Sequence, residues 1–170
     1  MGSKKGPYYR VEDLFLRFSE QVEREQGIRL TSYGFNWAGK DNVYDEKVHV
    51  INISYNYEKG MKYDDAKKCF FTFVDELIGY VNHHEEFKDI FYHFPIGYED
   101  FHLSFSFDYH FKGHLKKDDV WLISIFENRV YYSIVRDFDT SNKYNPYITR
   151  SFIENFDVKK TDAHNNRLND

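Results

Sequence analysis

Phe101-His102-Leu103-Ser104-Phe105-Ser106-Phe107-Asp108-Tyr109-His110-Phe111 is the stretch that decides the fold class. Every second residue is aromatic or aliphatic, and every residue between is polar. Successive side chains of a strand point to opposite faces, so this period of two predicts a long strand with one buried face. Downstream, Val120–Phe126 and Val130–Arg136 flank Glu127-Asn128 and read as a hairpin, since Asn tolerates positive φ. Both strands are apolar on both faces, which places them centrally, with the second face at least partly covered. Asp137 to Pro146 is a polar loop, and Tyr147 to Phe156 reads as a last short helix. Residues 157–170 carry almost no apolar side chain and read as a mobile tail.

Upstream, the spacing changes. Val11, Leu14, Phe15, Phe18 and Val22 form one apolar stripe at helical spacing, and Gly27 supplies a stop. Tyr33, Phe35 and Trp37 alternate with polar residues, as do Ile51, Ile53, Tyr55 and Tyr57, so strands are expected over Thr31–Trp37 and Lys47–Tyr57. Gly39, Asp41 and Asn42 mark a turn between them. Ala66, Phe70, Phe73, Val74, Leu77 and Val81 make a second helical stripe, with Asp64 or Asp65 as its cap. A short third helix is expected over His83 to Phe91, ended by Pro95 and Gly97.

The order is therefore α-β-β-α-α-β-β-β. It predicts one α+β domain over 1–156: an antiparallel sheet of about five strands with both long helices on one face. Aromatics make up 20% of the chain, enough to supply most of that core. The net charge of −5 and the absence of a basic stripe argue against nucleic acid as a partner. The single cysteine, Cys69, rules out an intrachain disulfide and a cysteine-based zinc site. No apolar run is long enough for a membrane span. Met1-Gly2-Ser3 reads as a cloning remnant, which leaves room for an export signal or lipid anchor upstream.

Candidate chemistry begins with the eight histidines. His102 and His110 share the polar face of the decisive strand, but eight residues of strand span about 26 Å, too far for one ion. Asp108 and His110 stand about 7 Å apart on that face, within reach of a common ligand. The plainer reading is polar-face and loop histidines. Glu99 and Asp100 precede His102 but would point to opposite sides if extended, so they do not make an acid–base pair. Cys69 reads as a boundary residue of the second helix. The aromatic strand faces could pass for a base-stacking platform, yet they are the faces that must meet the helices. Tyr131, Tyr132, Tyr144 and Tyr147 lie late, beside the polar loop, and are candidates for exposed contacts. No phosphate-binding glycine loop, nucleophile elbow, calcium loop or Cys-x-x-Cys is present.

Phe73–Asn82, Glu85-Glu86-Phe87, Tyr92-His93-Phe94-Pro95 and Phe101–Phe105 together resemble a family of small bacterial proteins to which no activity is assigned. The family has a Tyr-Pro-Phe-like step where this chain has Tyr-His-Phe-Pro. The resemblance implies an α+β fold and an exported or envelope setting, and some members look lipid-anchored.

The sequence thus predicts a non-enzymatic binding or interaction domain. It would use the less covered sheet face, with His102, Asp108, His110 and Tyr132 as the binding residues. The partner is a protein or small molecule, and no catalytic residue, metal or cofactor is implied. Two alternatives stand beside it: a small enzyme using Asp108 and a histidine in a curved sheet, and a structural subunit that forms a homodimer through its sheet.

Overall fold

A computed structural model describes residues 7–36 and 47–155. The expected turn at 38–45 and the expected tail at 157–170 lie outside these residues. The element order is α1 (Pro7–Gln26), β1 (Arg29–Asn36), β2 (Val50–Asn56), α2 (Tyr63–His83), β3 (Phe101–Ser106), β4 (Val120–Phe126), β5 (Arg129–Phe138) and β6 (Tyr147–Asn155). Between α2 and β3 the chain makes two single 3₁₀ turns, Glu85–Phe87 and Tyr98–Asp100, in place of the expected third helix.

All six strands belong to one sheet in the order β1-β2-β3-β4-β5-β6. Five strands were expected. The sixth is Tyr147–Asn155, read from sequence as a helix and observed as an edge strand paired with β5. Every neighbouring pair is antiparallel except β2–β3, which is parallel. A parallel pair needs a crossover connection, and α2 provides it. Its 21 residues rise about 30 Å, enough to carry the chain back to the end where β2 began.

The two helical stripes behave as their spacing predicts. Val11, Phe15, Phe18 and Val22 of α1 are buried, as are all six stripe residues of α2. Gly27, at φ +73, ends α1 and donates its N–H to the Glu23 carbonyl at 2.9 Å. The N-cap of α2 is Lys62, and Asp64 and Asp65 sit within its first turn.

Both helices lie on the same sheet face. The Phe15 ring of α1 packs against Tyr33 and Phe35 of β1, and Phe73 of α2 packs against Tyr55 and Phe105. Ser19 and Tyr55 join α1 to β2 through a buried hydroxyl pair at 2.7 Å. Residues opposite one another trace the face across the sheet: Leu30, Tyr55, Phe105, Ile123, Tyr132 and Phe152 all point toward the helices.

The neighbouring row, Ser32-Ser54-Ser104-Ser124-Tyr131-Ile153, points the other way. No helix covers it. Part of that face, at the β4–β6 end, is closed by the segment between β3 and β4, where the Phe111 ring packs on Trp121 and Tyr147. No helix among the described residues is long and apolar enough to cross a membrane.

Candidate functional site

The four residues singled out from the sequence do not meet. His102 does sit on the open face, with Nδ1 3.1 Å from the Asn52 side-chain oxygen and its ring 4.3 Å from that of Phe126. Partial burial lowers its pKa and favours the neutral ring.

Asp108 and His110 are displaced because the strand ends at Ser106, five residues short of the expected Phe111. Side chains take over the backbone partners there. Asn56 Oδ1 accepts the Tyr109 N–H at 3.0 Å, and Asp108 accepts the N–H groups of Lys112 and Gly113 at 2.9 and 3.0 Å. Asp108 is fully buried and also accepts the Tyr147 hydroxyl, so its oxygens face inward. His110 is exposed in the turn, where Arg29 donates to its Nε2 at 3.1 Å. The Asp108–histidine acid–base pair is therefore not assembled on a strand face. His114 lies beside Asp108, with Nδ1 3.7 Å from Oδ1.

Tyr132 is on the helix side and fully buried, contrary to the expectation of an exposed contact. Its ring stacks on Phe152 at 4.9 Å and meets the edge of Tyr63 at 5.1 Å. Its hydroxyl donates to Glu154 at 3.2 Å. Glu154 collects three donors, since Tyr63 also gives its phenol and Lys67 its ammonium at 2.9 Å. Lys67 lies 5.2 Å from the centre of the Tyr63 ring, a cation–π distance. Burial pushes the Glu154 pKa up, but the donations from Tyr63 and Lys67 outweigh it and hold the carboxylate below its ordinary range. Burial raises both phenols, and the Glu154 charge raises them further.

This cluster backs a pocket of about 430 Å³ between the start of α2 and strands β5 and β6. Its apolar wall is Tyr63, Ile134 and Phe152; its charged rim is Lys62, Asp64, Asp118, Arg136 and Arg150. The backbone explains the convergence. Ile134 and Arg150 are cross-strand partners, and Tyr132 and Phe152 are the next pair on the same face. Arg136, two residues after Ile134, joins the rim where the β5–β6 pairing is irregular between Val135 and Asp137. Asp118, at φ +68, comes from the turn that leads into β4. Lys62 is tied to Asp119 Oδ1 and the Lys117 carbonyl, each at 2.7 Å. The guanidinium groups of Arg136 and Arg150 have no acceptor among the described residues, and the carboxylates of Asp64 and Asp118 have no cation within 4.0 Å there.

The sequence carried no local signal for this site. Its rim comes from four separate segments, and Arg136 and Arg150 flank a loop as ordinary surface charges would. Among the described residues no three His, Cys, Asp or Glu side chains group to hold a metal ion. No protein-family model, curated protein or solved structure matches the chain.

Proposed function

We propose that this protein is a non-enzymatic binding domain that takes a small ligand in the pocket between α2 and the β5–β6 strands. The observation that carries the reading is the pocket itself: about 430 Å³, with an aromatic wall and four charged side chains that have no partners of their own among the described residues. Ligand pockets are commonly of this size and combine apolar walls with a few convergent polar groups. The part-buried Tyr63–Tyr132–Lys67–Glu154 cluster behind it gives the wall a fixed shape. Its carboxylate and ammonium bond to one another and to the phenols, so the cluster supports a framework role.

The binding surface thus moves from the open sheet face, where the sequence put it, to the helix side. A fragment screen by ligand-observed NMR tests the reading. Hits are expected to bind the parent protein and to be lost in Phe152→Trp, which adds bulk to the pocket wall. Fragments that bind this variant equally well would falsify the assignment.

A second reading keeps one observation in its favour. Phe126 and Ile153 are 42% and 54% exposed on the open face, enough for that face to take a second copy of the chain. Light scattering after gel filtration decides it: a dimer that Ile153→Lys dissociates supports it, and a monomer at all concentrations removes it. An exported or envelope setting rests on the resemblance of residues 73–105 alone, and fractionation of the native host tests it.

A further inference from the structure

On the premise that this pocket is the binding site, we infer that its ligand is a small organic anion, a carboxylate or phosphate monoester, attached to a flat ring. Arg136 and Arg150 come from neighbouring strands onto one cavity, and neither guanidinium has an acceptor among the described residues. A guanidinium presents planar, paired N–H donors that match the two oxygens of a carboxylate or phosphate, and two of them on one rim form a clamp. Neither arginine is committed to the fold, so both stay available to an anion.

The wall fixes the rest of the ligand. Phe152 presents one ring edge or face to the cavity while its other face is stacked on Tyr132 at 14° between planes. Tyr63 is pinned by its bonds to Glu154 and Lys67. Two rings held in place cost little ordering on binding and suit a flat apolar group. Asp64 and Asp118 set the upper limit on charge. They stand on the same rim and repel a polyanion, which excludes nucleic acid and favours one anionic group per ligand.

Titration calorimetry with four probes separates the possibilities: benzoate, phenyl phosphate, inorganic phosphate and benzyl alcohol. Benzoate or phenyl phosphate is expected to bind at least tenfold more tightly than benzyl alcohol, the neutral ring, and than inorganic phosphate, the bare anion. Arg150→Gln is expected to weaken the ring-bearing anion at least tenfold and to leave benzyl alcohol unchanged. The anion affinity is expected to fall with added salt. Tighter binding of phenyl phosphate assigns a monoester, and tighter binding of benzoate a carboxylic acid. If benzyl alcohol binds as well as the anions, or Arg150→Gln leaves the anion unaffected, the anion inference fails while the pocket stands. If none of the ring probes binds, or Phe152→Trp takes them all equally, the pocket reading fails and this inference with it.

Discussion

The phenol of Tyr147, at the first position of β6, donates a hydrogen bond to the fully buried carboxylate of Asp108, 39 residues earlier in the chain. The same hydroxyl accepts the Leu115 N–H at 3.3 Å. One buried contact therefore holds the β3–β4 segment against the edge strand.

Replacing Asp108 should be costly, because two backbone N–H groups and a phenol would lose the buried carboxylate that accepts them. Asp108→Ala is expected to cost about 2–4 kcal/mol and Tyr147→Phe about 1 kcal/mol. Urea denaturation followed by circular dichroism gives both values. A loss below 0.5 kcal/mol for the alanine variant, a rough limit set by ordinary surface changes, contradicts the role given to Asp108.

Alkaline pH should unfold the protein through its buried phenols. Burial and the hydrogen bond to Asp108 push Tyr147 up to about 12, and burial also raises Tyr55 and Tyr132 above the ordinary 10.0. A folded-state pKa above the unfolded one stabilises the protein fully below about pH 10, and that contribution is lost as pH rises toward 12 and beyond. Phenolate absorbance and the loss of helical signal are expected to rise together in that range. Full ionisation of all tyrosines with the fold intact contradicts this.

Glu154 should behave in the opposite sense. Its pKa is held low by its donors, so its contribution is present above its ordinary 4.5 and disappears as pH falls through the folded value. Glu154→Gln is expected to cost about 1–3 kcal/mol near neutral pH and to flatten the acid limb of the stability profile. An acid limb unchanged by the substitution shows that Glu154 does not produce it.

A side chain at Gly60 should force Asp119 to shift. A Cβ there would come within 2.7 Å of Asp119 Oδ2, the oxygen that accepts the Lys116 N–H at 2.8 Å. Gly60→Ala is expected to lower the melting temperature by about 2–4 °C, the shift that corresponds to roughly 1 kcal/mol in a domain of this size. Since Lys62 reaches the rim from the other oxygen of Asp119, the variant should also perturb ring-anion binding, measured by the same calorimetry.

Sequence periodicity located both helices and three of the strands by a clean apolar stripe, and β4 and β5 by short apolar runs around a turn. β6 escaped it. Its apolar residues Tyr147, Ile148, Phe152 and Ile153 fall on both strand faces, so no period of two marks the segment. Only pairing with β5 makes it a strand. β4 and β5 misled in another way. With apolar residues on both sides, alternation alone does not tell which side meets the helices, so Tyr132 was assigned outward although it faces α2. Asp108 was read as a strand residue because Phe107, Tyr109 and Phe111 continue the alternation past the point where Asn56 and Asp108 capture the backbone. The pocket was invisible for a different reason. Arg150 reaches the rim because pairing sets it opposite Ile134, two residues from Arg136, and such register is a property of the pair, not of either segment.

The single parallel seam gives the chain an uneven folding path. Neighbours in the antiparallel pairs are joined by connections of 2 to 13 residues, whereas Asn52 of β2 and His102 of β3 meet across 50 residues. Closing that long loop carries the largest entropic cost before any contact rewards it. The β1–β2 hairpin and the β3–β6 meander should therefore form as separate kinetic units, with docking across Ile53 and Leu103 as the slow step. Stopped-flow refolding of Leu103→Ala is expected to show slower folding, and Val130→Ala faster unfolding. The order in which the sheet assembles is thus set by one helix-bridged pair out of five.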